Sequence, residues 1–291
     1  MKRLLLVLPI VLAACHDTPT QPDPTPLFKA EGGGTVVTTL DEWQTAIANA
    51  TNGGKILVRG TIDIPGGEEA VLRTANVTIG AATRGSGLRG IPNAAGELPE
   101  CLICLNSTAD GAAVEGLALD GAGEGLIEAW EFVPADDLLR GVTYRGNYLV
   151  CGGCATHVFL GNAPGAIFEN NVLMGHPGLS AIQIQSSPGA RIINNWIEQA
   201  GRRNAIRNPD NVSAGLFVVH NTIVSAVGTI AGIFTHSGGG TYVNNRILEV
   251  VGGFSCQDAS VGAGTAGTAN KWVANRAPVA SDPVGICGPI P

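Results

Sequence analysis

The chain has 291 residues, with 17 Lys and Arg against 24 Asp and Glu, and a formal charge of −7 at neutral pH. Charged residues make up only 14% of it, below the ~25% of ordinary globular proteins, and an acidic surface without basic runs excludes a long polyanion such as nucleic acid as its partner. Forty-one Gly beside 4 Trp, 3 Tyr and 7 Phe point to a turn-rich β protein built on Val and Ile, not a helical bundle.

Residues 1–14 have Lys2 and Arg3 followed by an apolar run from Leu4 and small residues at Ala13 and Ala14. That run is too short to span a bilayer, so it reads as an export signal. The ending Leu12-Ala-Ala-Cys15 resembles a bacterial lipoprotein box, which implies cleavage before Cys15 and lipidation of its thiol. The protein would then be anchored to a membrane through lipid alone, and loss of Lys2 and Arg3 would bring the charge to −9. Residues 15–34 are rich in Pro, Thr, Asp and Gly and read as an extended tether. His16 stands where an Asp would retain an enteric lipoprotein in the inner membrane, so the outer membrane is the expected destination. Residues 35–291 then form one domain.

Thr39-Leu-Asp-Glu42 reads as a capping box opening a helix of about 11 residues, with Leu40, Trp43 and Ile47 on one face. Lys55-Ile-Leu-Val58, Thr61-Ile-Asp-Ile64 and Asn76-Val-Thr-Ile79 read as the first strands. Irregular spacing from Gly80 to Asp137 places surface loops at 81–99 and 121–134.

From residue 141 one pattern returns five times, around Asn147, Asn171, Asn195, Asn221 and Asn245, at steps of 24, 24, 26 and 24 residues. A unit of this length cannot bury a core alone, so the units must stack as a solenoid. Period-two alternation, as in Ile182-Gln-Ile-Gln185, makes each unit two or three short strands, with tight turns at Gly161–Gly165, Ser187–Gly189 and Gly238–Gly240. The recurring Asn reads as a structural ladder, each amide bonding the rungs above and below and tolerating left-handed backbone. The expected fold is all-β: a single-stranded right-handed parallel β-helix with an N-terminal capping helix. These repeats, and Ala50-x-x-Gly53-Gly-Lys-Ile-x-Val58 followed by Asn76-Val-Thr-Ile-Gly80, resemble the pectate-lyase-like superfamily over about residues 35–260. That resemblance implies the fold and a groove along one sheet.

Six cysteines remain besides Cys15, and in an exported chain an even count favours disulfides. Proximity pairs Cys101 with Cys104, Cys151 with Cys154, and Cys256 with Cys287, the last tying down the C-terminal tail. A four-cysteine zinc site or a redox-active Cys151-Gly-Gly-Cys154 are the competing readings; the expectation is no metal.

Counting back from the ladder puts the groove sheet at 157–160, 181–185, 205–208 and 232–236. With Val158, Leu160, Ile182, Ile184, Ile206 and Ile233 inward, strict alternation turns His157, Phe159, Gln183, Gln185, Arg207, Phe234 and His236 outward. Phe159, Gln183, Arg207 and Phe234 then form one column, with His176, Arg202 and Arg203 in loops beside it. An aromatic ring stacks on a sugar and Arg pairs with a carboxylate or sulfate, so these residues, with Gln185 and His176, are the candidate site for an acidic polysaccharide.

Catalysis by hydrolysis would need paired carboxylates from Asp120, Glu124, Glu128, Asp136 and Asp137. A lyase would need a base and a cation, for which His157, Arg207 or His236 are the candidates, with Ca2+ as an added cofactor. The chain carries no Asn-Thr-Asp, Gly-His-Gly or Arg-Ile-Lys set of polygalacturonases and no Trp-Ile-Asp-His of pectate lyases. The expectation is therefore a monomeric, non-catalytic glycan-binding or structural lipoprotein without cofactor, the alternative being a polysaccharide lyase or glycoside hydrolase.

Overall fold

A computed structural model describes residues 33–129, 137–199, 203–227, 230–251 and 253–289. The export signal, Cys15, the tether up to residue 32, Asp136 and Arg202 lie outside them. The chain is an all-β parallel β-solenoid of about nine turns. Each turn lays one short strand on each of three parallel sheets of ten, ten and eight strands, here called sheets I, II and III in the order the chain visits them.

The register follows from the apolar positions. The middle residue of each sheet I strand points inward, giving the stack Val114, Tyr144, Phe168, Ile192, Val218, Tyr242 and Trp272, all buried. Tyr242 and Trp272 lie face to face with centroids 4.1 Å apart. Sheet II contributes Leu119, Leu149, Leu173, Ile197, Ile223 and Ile247, and sheet III Ile103, Ile127, Val158, Ile182, Ile206 and Ile233, again buried and in register. Each such side chain removed from water stabilises the fold by roughly 1.5–3 kcal/mol, and a one-residue slip would turn the whole set outward.

The corner between sheets I and II explains the repeated Asn. Each ladder Asn donates from Nδ2 to a carbonyl of the preceding rung and to Oδ1 of the next ladder Asn, as Asn171 does to Tyr144 O at 3.0 Å and Asn195 Oδ1 at 3.1 Å. Its own Oδ1 accepts the backbone N–H and the amide of the Asn before it. The ladder continues to a sixth member, Asn275, whose Oδ1 accepts from Asn245 N and Nδ2. The left-handed backbone falls one residue earlier than the sequence pattern suggests, on Gly146, Asn170, Asn194, His220, Asn244 and Ala274, with φ between 52° and 62°. The ladder Asn thus serves through its amide, and its neighbour makes the turn.

The N-terminal end is covered by α1 (Leu40–Ala48), which buries Trp43 and Ile47 against the first strand of each sheet. Thr39 caps it, its Oγ1 accepting from Glu42 N at 3.3 Å, whereas the Glu42 carboxylate reaches one residue further back, to Thr38 N and Oγ1. The helix is two residues shorter than the expected 11 because Asn49 ends it, turning Nδ2 back onto Thr45 O. All three expected disulfides are formed, with Cα–Cα distances of 5.7, 5.7 and 6.1 Å. The tail beyond Cys256 supplies two further short strands of sheet II, at Arg276–Ala277 and Gly288–Pro289.

Two expected loops are shorter than the spacing implied. Within 81–99 the strand Gly87–Ile91 belongs to sheet II, leaving a turn in which Asn93 Oδ1 accepts from Ala95 N and Glu97 N. Within 121–134, Gly125–Glu128 is a strand of sheet III.

Candidate functional site

Sheet III strands fall at Thr156–Gly161, Ser180–Gln185, Asn204–Asn208 and Ala231–Thr235, within a residue of the expected positions. Their pairing places Phe159 opposite Gln183, Gln183 opposite Arg207, and Arg207 opposite Phe234. The expected column is therefore a real register line on the outer face. It extends one rung each way, to Glu128 beside Phe159 and Gln257 beside Phe234. Steps of 31 and 23 residues hid these two from the repeat pattern, although Glu128 and Gln257 could have been found by continuing the strand register.

A second outward column runs alongside, three residues earlier in each strand: Gly125, Thr156, Ser180, Asn204, Ala231 and Phe254. Positions three apart share a face because two consecutive residues between them both turn inward. The Cys101–Cys104 bond within one strand requires that arrangement, and a Cβ on Gly125 would sit 2.8 Å from Glu128 Oε1. Ser180 Oγ and Asn204 Nδ2 are buried in this second column without a hydrogen-bond partner.

This local geometry corrects one expectation outright. His157 is not on the outer face: it occupies the inward position shared by Leu126 and Ala181, is fully buried, and places Nε2 2.7 Å from Met174 O. Burial lowers its pKa to about 4, against the smaller opposing effect of that hydrogen bond. A neutral imidazole sealed in the core has no route to a substrate proton, so His157 is not a catalytic candidate. Phe159 is corrected in part: it lies on the column but is only 7% exposed, and Gln183 only 8%, so neither offers a broad face.

The accessible part of the column is Arg207, Phe234 and Gln257, all half-buried. Arg207 Nη1 donates to Gln183 Oε1 at 3.1 Å. Burial, and secondarily the nearby Arg203 guanidinium, lowers the Arg207 pKa. Among the described residues neither arginine has a carboxylate within ion-pair distance, so Arg207 and its neighbour Arg203 are two close cations without a described counter-ion. The exposed His236 ring rests against Phe234 with centroids 5.0 Å apart. Gln185 is half-buried and one rung before Arg207, while His176 is exposed outside the strands.

The described candidate carboxylates occupy different settings. Glu128 is buried on the column, Asp120 is exposed on sheet II, and Glu124 and Asp137 are exposed outside the strands. Among the described residues, no three His, Cys, Asp or Glu side chains come together as a metal site, and no helix is long and apolar enough to cross a membrane. In comparisons with known proteins, the chain matches no family model, no curated protein and no solved structure.

Proposed function

We propose that the protein is an exported, lipid-anchored β-helix whose sheet III face binds an acidic polysaccharide without cleaving it. The observation that carries this is Arg207, without a carboxylate partner among the described residues, lying between Gln183 and the half-buried Phe234 on one register line, with the Arg203 guanidinium nearby. A half-buried guanidinium without a counter-ion gains from an incoming carboxylate or sulfate, which it meets with a fixed fork of donors, and Phe234 offers a ring to the adjacent sugar face. Rungs spaced about 4.8 Å apart present these groups in a line that an extended chain can follow.

The repeat resemblance to the pectate-lyase-like superfamily supports a groove on this sheet. A lyase or hydrolase remains the second reading, because Glu128 is a buried carboxylate on the same column. Three rungs separate it from Arg207, about 14 Å, farther than the 5–10 Å or so over which two groups flank one glycosidic bond. Incubating the protein with uronate-containing and sulfated polysaccharides, while following binding, unsaturated products and reducing ends, tests the proposal. Saturable binding without products supports it, and cleavage transfers the case to the enzyme.

A further inference from the structure

The corner between sheets I and II holds a second concave feature, on a different part of the surface from the column above. It is a cavity of about 210 Å³ floored by Trp196, flanked by Val172 and Thr222 from the rungs on either side, and rimmed by Asn170 and Asn194. Among the described residues, no charged residue lines it. The ladder residues Asn171 and Asn195 behind it spend their amides on the stack, so the rim amides and the Thr222 hydroxyl are the polar groups left to the cavity.

Asn170 and Asn194 occupy the left-handed turn position, with φ of 56° and 52°, which throws their side chains outward from the corner. Asn194 Nδ2 donates to Asn170 Oδ1 at 2.7 Å. That single bond leaves Asn170 Nδ2 as an unused donor at one end of the pair and Asn194 Oδ1 as an unused acceptor at the other. Trp196 is half-buried, and its Nε1–H, itself buried, has no acceptor among the described residues.

We infer that this corner is a binding site for a neutral sugar ring, separate from the acidic-glycan face on sheet III. The chemistry matches on both sides of such a ring: its C–H face stacks on the indole, and a pair of neighbouring hydroxyls, each both donor and acceptor, satisfies the open ends of the Asn170–Asn194 amide pair. The absence of lining charge selects against uronates and sulfates, which would lose hydration here without gaining a cation. The cavity is small beside the ~300–1,000 Å³ of drug-sized sites, which restricts it to one ring, at the end of a chain or as a single exposed unit.

One ring held by one aromatic and two amides binds in the millimolar range. The test is a titration of the 15N-labelled protein with glucose, galactose, N-acetylglucosamine and cellotetraose up to about 50 mM, following the Trp196 indole N–H and the Asn170 and Asn194 side-chain amides. The expected result is a saturable shift of all three with at least one probe. Trp196→Ala should weaken it about tenfold, Asn194→Gly, which suits the left-handed backbone, several-fold, and Arg207→Ala not at all. If Trp196→Ala fails to fold, Asn194→Gly decides. The inference is overturned if none of the four probes moves these resonances, if Asn194→Gly binds as well as wild type, or if Arg207→Ala abolishes the shift. An acidic polysaccharide that binds at Arg207 without touching them leaves the sheet III proposal standing by itself.

Discussion

Replacing Asn195 with Ala removes a fully enclosed set of bonds, and its cost can be worked from the ladder. Asn195 Oδ1 accepts from Asn171 N at 2.9 Å and Nδ2 at 3.1 Å, and its Nδ2 donates to Phe168 O and Asn221 Oδ1, both at 3.0 Å. Asn171 Nδ2 keeps Tyr144 O and Glu169 O, and Asn221 Oδ1 keeps the Asn195 backbone N–H, so those two groups stay partly satisfied. The Asn171 N–H keeps nothing, and Phe168 O loses its side-chain donor. With Asn195 only 2% exposed, water does not replace them, and at about 1–3 kcal/mol for each of the two groups the loss is about 2–6 kcal/mol. For a domain of this size that lowers Tm by on the order of 5–10 °C. Urea titration and thermal melting followed by circular dichroism measure it, with Asn194→Gly as the exposed control one residue away. A wild-type melting curve for Asn195→Ala, or an equal loss for Asn194→Gly, would refute the ladder as a source of stability.

Other expectations concern separate parts of the molecule. Arg207→Ala should weaken acidic-glycan binding by about 10- to 100-fold, the worth of a charge-assisted contact, with Tm nearly unchanged, and wild-type affinity should fall as salt rises; calorimetric titration at two ionic strengths checks both. His157, held neutral with its pKa lowered to about 4, makes the unfolded chain bind the extra proton. Its contribution is therefore complete above pH 6.5 and is lost as pH falls towards 4, by about 3 kcal/mol in all. Urea midpoints across that range should show the slope, and His157→Leu should flatten it. Removing the Cys256–Cys287 bond, which closes a 31-residue separation, should cost about 3–4 kcal/mol, against roughly half that for Cys101–Cys104; denaturation of the two double Cys→Ala variants gives the order, and the reverse order would be wrong for this fold.

How far the sequence could be read depended on which signal each feature left. Evenly spaced asparagines set the rung length, and rung length set the column from Phe159 to Phe234, because partners on adjacent rungs of a parallel solenoid differ only by that step. The same arithmetic failed at Glu128 and Gln257, where unequal turns change the step but leave the register intact. His157 was misplaced for a different reason. Strict alternation holds only in a flat strand, and here the bend from sheet II to sheet III turns two successive residues, His157 and Val158, into the core. Cys101 and Cys104 carried the clue, since a bond between positions three apart puts both on one face. The burial of Phe159 and the amide pair at Asn170 and Asn194 left no sequence signal, because each depends on which side chains meet across rungs.

Whether the Arg207 face of sheet III binds an acidic polysaccharide and leaves it whole is decided by one paired measurement. Wild type and Arg207→Ala are titrated side by side against sulfated and uronate polysaccharides, and each mixture is then assayed for unsaturated products and new reducing ends. Wild type should bind saturably, Arg207→Ala about tenfold or more weakly, and neither protein should release products. Absence of binding, equal affinity of the two proteins, or appearance of cleavage products would contradict the proposed binding without cleavage.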